Sequence, residues 1–280
     1  MTLNGCDKID NSKYCIMTLS EIWIYPVKSL GGIRLTEADV EERGLKYDRR
    51  WMIVDQDGLL VTQRQVNKMA LIDVAIVENG LLISVRNDSE DEIFVPFEPI
   101  TNQELLVKVW DDEVKALTVS NEADQWLSKQ LEKEVRLVVM PLSTERKADP
   151  KYAKNDENVS FADGFPFLII SQASLDHLNS KLAEPIEMKR FRPNFVVTDT
   201  EPHEEDNWNN IQIGNIQFEI VKPCARCILT TIDPETSQKG PEPLKTLATY
   251  RKINNKILFG QNVVAKDYGT LREGDALKAL

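Results

Sequence analysis

Cysteine and histidine are scarce in this sequence, which limits the metal sites that the chain can build. The 280 residues include four cysteines and two histidines. A structural zinc ion usually takes four ligands, from two cysteine pairs or from one cysteine pair and a spaced histidine pair. Two of the cysteines lie near the N-terminus, far from the C-x-x-C pair at Cys224 and Cys227, and His177 and His203 are too far apart to form such a pair. The sequence therefore argues against a structural zinc site.

Long apolar runs are absent as well. No stretch approaches the roughly twenty apolar residues of a membrane-spanning helix. Residues 1–16 have neither the apolar core of a signal peptide nor the arginines of a mitochondrial transit peptide. We expect residues 1–16 to be a disordered leader and the protein to be cytoplasmic, with no membrane partner, because free thiols suit a reducing compartment. A disulfide between Cys6 and Cys15 has no support in the sequence.

Positively charged residues are fewer than negatively charged ones. The chain has 34 lysine and arginine residues against 45 aspartate and glutamate residues, a formal net charge of −11. Nucleic acids and anionic membranes attract proteins through a basic surface, so we expect neither partner. The overall charge still permits a small basic pocket.

Residues 221–234 combine two cysteines, an arginine between them and a β-branched run after them. Pro223 lacks a backbone N–H and disfavours helix at Lys222, so we expect the cysteines at a strand-to-loop corner and a buried strand over residues 228–232. A dithiol redox site would open a helix, which strand-forming residues do not favour. Two readings remain for the pair: a soft metal bound by one thiolate while the other cysteine packs, or two buried cysteines without chemistry.

The rest of the pattern predicts a mainly β (α+β) fold. Short apolar runs alternate with turn residues such as the Asn79-Gly80 pair, which is typical of an antiparallel sheet or barrel. Helical spacing of apolar residues predicts three helices, at residues 122–131, 172–182 and 244–250. Residues 143–160 are charged and lack periodicity, so we expect a long exposed loop that could form a rim over a site.

Eight short motifs occur in the order seen in one known family. They lie at residues 24–29, 48–51, 61–65, 165–171, 191–194, 205–208, 223–236 and 258–262, and the seventh reads PCARCILTTIDPET. This set resembles the MOSC superfamily, in particular the mitochondrial amidoxime-reducing component and its bacterial relatives. Each motif alone is modest, but the ordered set is specific and spans residues 19–280. The resemblance implies an N-terminal β-barrel domain at residues 17–138 and a MOSC β-barrel with a few helices at residues 139–280.

The resemblance also implies a ligand, a molybdenum-pterin cofactor (Mo-molybdopterin). In the family the metal is held by two pterin sulfurs, by oxo groups and by one cysteine thiolate. The matching position is Cys227, which is thereby expected to be both the metal ligand and a catalytic residue. A soft thiolate suits such a metal, and the cofactor carries the redox chemistry. Cys224 is then expected to be a packing residue.

Further residues are placed around the pterin and its phosphate by the resemblance. They are Lys28, Ser29, Arg49, Asp163, Gly164, Phe165, Arg192, Asn194, Ala225 and Arg226. Arginine offers a rigid fork for phosphate or pterin carbonyls, and lysine offers a point charge. Most lysines and arginines of a protein are merely exposed, so this assignment depends on the order of the motifs.

Two positions depart from the family pattern, and the role of a third, Glu201, has an alternative. Family members often carry small hydroxyl residues where this chain has Gly164 and Phe165, which leaves backbone contacts at these positions. Glu201 matches a carboxylate near the metal and could assist proton delivery as a catalytic residue. The alternative for Glu201 is a solvated acid in an acidic loop.

The implied activity is that of an oxidoreductase that removes oxygen from N-hydroxylated substrates such as amidoximes. Each reduction consumes two electrons and two protons. No cysteine follows Cys227, so we expect no iron–sulfur cluster there and a separate ferredoxin-, flavodoxin- or cytochrome-type electron donor. Two other functions stay open: a carrier of the cofactor or of sulfur, and an interaction module without catalytic activity.

Overall fold

The structure is a computed structural model that describes residues 16–280. The predicted leader at residues 1–16, apart from Ile16, lies outside the described residues, as do Cys6 and Cys15. The expectations for the leader and for a disulfide therefore stay predictions.

Strands dominate the described chain. The first eleven are β1 (Thr18–Ile24), β2 (Ile33–Leu35), β3 (Glu37–Glu41), β4 (Gly44–Leu45), β5 (Trp51–Val54), β6 (Ile72–Val77), β7 (Gly80–Val85), β8 (Asp88–Pro96), β9 (Glu104–Val109), β10 (Asp112–Thr118) and β11 (Arg136–Val139). The other eight are β12 (Phe167–Ser171), β13 (Phe195–Thr198), β14 (Asn210–Ile213), β15 (Ile216–Ala225), β16 (Lys252–Ile253), β17 (Lys256–Ala265), β18 (Gly269–Arg272) and β19 (Leu277–Ala279). The helices are α1 (Asn121–Leu131), α2 (Gln172–Asn179) and α3 (Leu244–Leu247), with 3-10 helices at Asn67–Leu71, Met188–Arg190, Glu204–Asn207 and Ile228–Thr231.

The strands form four sheets, and the predicted mainly β fold is confirmed, with 41% strand against 15% helix. The largest sheet has nine strands in the order β19-β14-β15-β17-β12-β13-β1-β2, with β16 paired to β17. A four-stranded sheet has the order β5-β11-β10-β9, and two three-stranded sheets have the orders β18-β3-β4 and β6-β7-β8. Within these sheets β12 and β13 run parallel, while the other strand pairs are antiparallel.

The two halves of the chain share their sheets. Strands β1 and β2 join the nine-stranded sheet of the C-terminal half, where β1 pairs with β13. In return β18 pairs with β3 from the N-terminal half. The boundary between residues 138 and 139 stays a prediction about the chain, but the sheets do not divide there. The segment that follows β1 is thereby held against the C-terminal half, which matters for the site described below.

The described residues form several hydrophobic cores, and the core of the nine-stranded sheet includes residues from both halves of the chain. In the nine-stranded sheet Phe167, Phe195 and Phe218 pack together, with ring centroids 5.4 to 5.6 Å apart, a spacing at which aromatic pairs attract beyond their buried area. In the N-terminal half α1 buries Leu127 and Leu131 in a core with strands of the smaller sheets. These cores form because the apolar residues of each strand or helix fall on one face.

The predicted helices are present, but two are shorter than expected. The Oγ atom of Ser120 accepts from the N–H of Ala123 and caps α1. Helix α2 ends at Asn179, not at residue 182, because the Asn179 amide bonds the backbone of Ile186 in both directions, at 2.9 and 3.0 Å. Helix α3 ends at Leu247. None of the helices within residues 16–280 is long and apolar enough to span a bilayer.

The strand predicted at residues 228–232 is wrong, since residues 228–231 form a 3-10 helix. The hydroxyl of Thr230 donates to Cys227 O at 3.0 Å, and that of Thr231 donates to Ile228 O at 2.7 Å. Threonine hydroxyls that bond a carbonyl three residues back offer the backbone an alternative to a strand ladder. The β-branched side chains therefore turn the chain just after Cys227.

The exposed loop predicted at residues 143–160 is only partly correct. No helix or strand lies between β11 and β12, but Arg146 is buried and anchors the segment. Its guanidinium donates to Ser160 O at 2.7 Å and to Ala162 O at 2.6 Å, and it pairs with Asp112 at 2.8 Å. Burial of an arginine needs such partners, so this segment is a fixed support for the residues that follow it.

Candidate functional site

One open cleft lies where the turn after β1, the loop before β12, the loop before β13 and the end of β15 meet. The empty space between its walls, with the open mouth included, is about 820 Å³. Its walls are Lys28, Ser29, Arg49, Thr62, Arg64, Trp110, Ala162, Asp163, Gly164, Phe165, Phe167, Leu168, Phe191, Arg192, Asn194, Cys224, Ala225, Arg226, Cys227, Leu229, Thr230 and Asn262. Because both halves of the chain contribute, the cleft depends on their shared sheets.

The cleft brings together all but one of the residues that the sequence predicted for the site. These are Lys28, Ser29, Arg49, Asp163, Gly164, Phe165, Arg192, Asn194, Ala225, Arg226 and Cys227. The exception is Glu201, which is exposed on the loop after β13, where its backbone N–H donates to the Glu204 carboxylate at 2.7 Å. Its proposed role in proton delivery stays a prediction.

The two cysteines stand at the end of β15, as the sequence predicted. The pairing of β15 with β17 shifts register between Pro223 and Ala225, and Ala225 pairs with Leu258. Cys224 and Cys227 are both free, partly exposed and in the wall of the cleft. Two cysteines buried without chemistry do not describe this arrangement, because both thiols face an open cavity.

Cys224 has a polar partner that its expected packing role did not include. The Nη1 atom of Arg226 lies 3.0 Å from Cys224 Sγ, and Nη2 of Arg226 donates to Phe191 O at 2.6 Å. Cys224 is therefore held in the wall of the cleft by a polar contact with Arg226.

A buried tyrosine ring contacts two arginines of the cleft. The guanidinium carbons of Arg49 and Arg192 lie 4.4 and 4.1 Å from the ring centroid of Tyr25, within cation–π range. Burial raises the pKa of Tyr25 well above its usual value, although the two arginines oppose this. Tyr25 is therefore neutral, and its ring contacts both cations.

Arg49 and Arg192 differ in how their charges are balanced. Arg49 pairs with the buried carboxylate of Asp48 at 2.7 Å. Arg192 has no carboxylate partner in the described residues; its Nη1 donates to Leu30 O at 2.7 Å. Burial, together with the nearby charge of Arg49, lowers the pKa of Arg192 to about 10. An anion bound beside Arg192 would relieve this cost.

Several buried donors of the cleft have no hydrogen-bond partner among the described residues. They are Nη2 of Arg192, Nε of Arg226 and Nε of Arg64. A buried N–H without a partner costs roughly 1–3 kcal/mol, so a ligand with several acceptors would be bound favourably. A pterin with carbonyl groups and a terminal phosphate has such acceptors, and the free thiol of Cys227 suits a soft metal. The residues present therefore fit the molybdenum-pterin cofactor that the sequence resemblance implied.

Lys28 and Asp163 form an ion pair at the rim. The buried Nζ atom of Lys28 donates to Phe161 O and to Asp163 Oδ1, both at 2.6 Å. Burial lowers the pKa of Lys28, against the effect of Asp163. For Asp163 burial acts to raise the pKa, but the charges of Lys28, Arg64 and Arg49 outweigh it and hold the pKa well below its usual range. Asp163 is therefore ionised, although its carboxylate is 69% exposed at the mouth of the cleft.

Two side chains of this rim, Trp110 and Arg64, and the buried Arg146 that supports the preceding loop were missed by the sequence-based assignment. Trp110 donates from Nε1 to Asp163 Oδ1 at 3.1 Å, and the guanidinium of Arg64 stacks on its ring at 4.3 Å. Arg64 lies inside the motif at residues 61–65, so a signal for it existed. Trp110 lies in a hairpin turn without a motif, and Arg146 acts through backbone oxygens, so neither had a signal.

The remaining predicted residues have structural tasks as well. Asn194 accepts from Leu168 N–H at 3.1 Å and donates to Trp23 O at 3.1 Å, so its amide joins β1 to β12. Ser29 adopts a positive φ of 70°, and its carbonyl accepts from Gln63 at 2.7 Å. At Gly164 an added Cβ would meet no atom within 4 Å, so the hydroxyl residues common in the family would fit there.

The two histidines lie together, away from the cleft. His177 Nδ1 and His203 Nε2 are 3.0 Å apart, and both rings contact Tyr250. Within residues 16–280 no group of three or more histidine, cysteine, aspartate or glutamate side chains is arranged to hold a metal ion. A zinc site built by protein ligands alone thus has no ligand set in this part of the chain.

Comparison with known proteins shows the family of the chain. Residues 16–134 match the MOSC N-terminal beta barrel domain, and residues 156–278 match the MOSC domain. Mitochondrial amidoxime-reducing component 1 of Mus musculus is 34% identical over 282 residues, covering 94% of this chain and 82% of the relative. Mitochondrial amidoxime reducing component 2 of Homo sapiens is 34% identical over 276 residues, covering 92% and 82%. A crystal structure of the YUAD protein from Bacillus subtilis aligns with 94% of each chain at 10% identity and a TM-score of 0.44. The two domain matches and the relatives of 34% identity show that the chain belongs to the MOSC-domain family that includes the mitochondrial amidoxime-reducing components.

Proposed function

We propose that the protein binds Mo-molybdopterin in the cleft and reduces N-hydroxylated compounds with electrons from a separate ferredoxin-, flavodoxin- or cytochrome-type donor. The observation that carries the proposal is the convergence in one cleft of a free thiol, Cys227, with buried arginine donors that lack partners. The names of the relatives support the substrate class, since they describe amidoxime-reducing proteins.

Each part of the cleft has a task in holding the cofactor. Cys227 is the proposed thiolate ligand of the metal, because a soft metal prefers sulfur. Arg192 and Arg226 offer unpartnered N–H groups to the phosphate or to pterin carbonyls. Lys28 adds a positive charge that is already held in place by Phe161 O and Asp163. When bound, the cofactor supplies the two-electron redox chemistry.

The chain itself must position the substrate and manage protons. Conversion of an N-hydroxy group to an N–H group releases one water molecule and consumes two electrons and two protons. Asp163 is ionised at neutral pH, so it is suited to attract a cationic amidine-type group and not to donate a proton. Glu201 is the proposed proton donor, acting from the exposed loop after β13.

The test is to express the protein in a host that makes the cofactor and to compare two variants, in each of which one arginine is replaced by lysine. Arg192→Lys removes the rigid fork and leaves the charge, so we expect about tenfold lower molybdenum and pterin content. Arg190→Lys is the matched control, because Arg190 does not line the cleft. Bound molybdenum without N-hydroxy reduction would favour a cofactor carrier, and wild-type protein without molybdenum would favour an interaction module.

A further inference from the structure

A cluster of positive charge stands out in this acidic chain. Residues 236–260 carry five cationic side chains, Lys239, Lys245, Arg251, Lys252 and Lys256, against one carboxylate, Glu242. The chain as a whole has a formal net charge of −11. The segment therefore has the opposite sign to the molecule that carries it.

The segment borders the strand end that holds the cysteines. Ala225 pairs with Leu258, and the N–H of Arg226 donates to Ile257 O at 2.7 Å. The β16–β17 hairpin continues outward from this contact, and its residues 252–256 are all exposed. Helix α3 packs against β17 and against the 3-10 helix at Ile228–Thr231. The positive segment is thus one strand away from the wall of the cleft.

Three of its lysines are not neutralised by neighbours. In the described part of the chain Lys245, Lys252 and Lys256 are exposed and form no ion pair. By contrast Arg190 pairs with Asp233, and Arg251 pairs with Asp206 at 2.6 Å. The unpaired lysines keep their full charge available to a partner.

Apolar side chains lie among these lysines. Ile253, between Lys252 and the turn of the hairpin, is 58% exposed, and Ile228, directly after Cys227, is also 58% exposed. Protein interfaces combine an apolar centre with a charged rim. We call the set of Ile228, Lys245, Lys252, Ile253 and Lys256 the basic surface.

We propose that the basic surface docks an acidic electron-carrier protein, the donor that the proposed function requires. The inference rests on that proposed function. Because the chain has a net charge of −11, most of its surface repels an acidic carrier. The basic surface attracts the carrier, and this attraction steers the encounter to one face. That face adjoins the Cys227 segment, so the carrier would arrive close to the site that consumes its electrons.

The test compares two triple variants with the same change of charge. Lys245→Glu/Lys252→Glu/Lys256→Glu reverses the basic surface. Lys133→Glu/Arg136→Glu/Lys278→Glu is the control, because these residues are exposed and lie at the end of α1, in β11 and in β19. Both variants reach the same net charge, so a general effect of charge would change them equally.

Two turnover measurements separate docking from catalysis. Turnover driven by photoreduced 5-deazariboflavin, a neutral small-molecule donor, reports the site alone. Turnover driven by a [2Fe–2S] ferredoxin, a flavodoxin or cytochrome b5, all of them acidic, reports docking. Binding of each carrier is also measured directly, at about 20 and about 200 mM salt, because attraction between exposed charges weakens with salt.

We expect the basic-surface variant to keep its deazaflavin rate and to lose about tenfold in second-order rate and in affinity for the best acidic carrier. The control variant should lose less than about threefold. Equal losses in the two variants, or equal binding of every carrier to wild type and to the basic-surface variant, would overturn the docking proposal. If wild type binds a carrier at the basic surface but shows no turnover with any donor, the proposed reaction fails while docking stands.

Discussion

The Nη1 atom of Arg226 lies 3.0 Å from the Sγ atom of Cys224, so the arginine between the two cysteines interacts with the first of them. The same guanidinium is tied to Phe191 O through Nη2, which fixes it in the wall of the cleft. Cys224 therefore helps to orient a cation of the site. Cys227 has no such contact to a cation within residues 16–280, and it is the proposed metal ligand.

Substitution of each cysteine by serine should separate these roles. Cys227→Ser should abolish turnover and most molybdenum retention, because a serine oxygen is a hard ligand that is mostly protonated at neutral pH. Cys224→Ser keeps an acceptor for Arg226, so we expect it to retain metal and turnover and to lose roughly 1 kcal/mol of unfolding free energy. Molybdenum, pterin and N-hydroxy reduction are measured per folded protein in both variants from the same host.

The opposite pattern would reassign the ligand. If Cys224→Ser loses turnover while Cys227→Ser keeps it, the metal is bound by the first sulfur. If both variants lose metal equally, the two thiols share the site.

The ion pair of Lys28 and Asp163 should stabilise the fold in a pH-dependent way. Asp163→Asn removes the carboxylate partner of a buried ammonium group, and we expect a loss of roughly 1–2 kcal/mol in unfolding free energy at pH 7, less than for a fully buried pair because the carboxylate is exposed. The folded-state pKa of Asp163 is depressed, so this contribution is present above about pH 4 and disappears as the pH falls below that value.

The measurement is urea unfolding of wild type and variant between neutral and acid pH. Asp156→Asn is the matched control, since Asp156 pairs with Lys147 in an exposed ion pair and such pairs contribute about 0–1 kcal/mol. A difference between wild type and Asp163→Asn that stays constant down to acid pH would show that ionisation of Asp163 does not stabilise the fold.

Much of the fold was predictable because local chemistry and global structure agree there. A tight turn joins β6 to β7 as expected, although it lies at Glu78 and Asn79, one residue before the predicted Asn79-Gly80 pair. The helical period at residues 122–131 correctly predicted α1. Prediction failed where side chains form contacts that a local pattern does not contain. At residues 228–232 the threonine hydroxyls bond carbonyls three residues back, and in residues 143–160 a buried Arg146 gathers oxygens of distant residues.

The residues of the site divide in the same way, into those that lie in sequence motifs and those that only the tertiary structure brings to the cleft. Residues within motifs, such as Arg49, Arg192 and Cys227, could be assigned from the sequence, and they line one cleft. Trp110 could not be assigned, because it reaches the cleft only through the pairing of β9 with β10. The polar partner of Cys224 was also hidden, since a C-x-x-C spacing does not tell which way the arginine between the cysteines turns.

The pair of histidines should make the fold less stable in acid. Burial, with the charge of Arg251 adding to it, lowers the pKa of His203 to about 4, while the unfolded value is about 6.5. The unfolded state therefore binds a proton more readily, and stability falls as the pH drops from about 6.5 towards 4. His203→Asn removes this titration, and asparagine tolerates the positive φ of 63° at this position.

Between pH 7 and pH 4 we expect the unfolding free energy of wild type to fall by roughly 1–2 kcal/mol more than that of His203→Asn. This is less than the full pKa shift would give, because the ring is only partly buried. His177, whose pKa is also lowered by burial, remains in both proteins and sets the background. Parallel pH–stability curves for the two proteins would contradict this account.

Trp110 occupies a backbone conformation that does not suit it. It is the first residue of the two-residue turn between β9 and β10, with a φ of 57°, where glycine or asparagine is usual. A bulky side chain in this region costs roughly 1–2 kcal/mol. The ring is held there by the stacked guanidinium of Arg64 and by the hydrogen bond to Asp163, so the strain is balanced by contacts with residues of the cleft.

Trp110→Asn should therefore change the unfolding free energy by less than about 1 kcal/mol, since relief of strain offsets the lost cation–π contact and hydrogen bond. Cofactor retention should fall roughly fivefold, the equivalent of about 1 kcal/mol, because Arg64 and Asp163 lose the surface that positions them. Trp126→Asn is the control: Trp126 is partly buried on α1 and donates to Asp91 at 2.6 Å, so it should cost roughly 1–3 kcal/mol of stability and leave retention unchanged. If Trp110→Asn instead destabilises the fold as much as Trp126→Asn and keeps the cofactor, Trp110 is a packing residue and its strained turn has no bearing on the site.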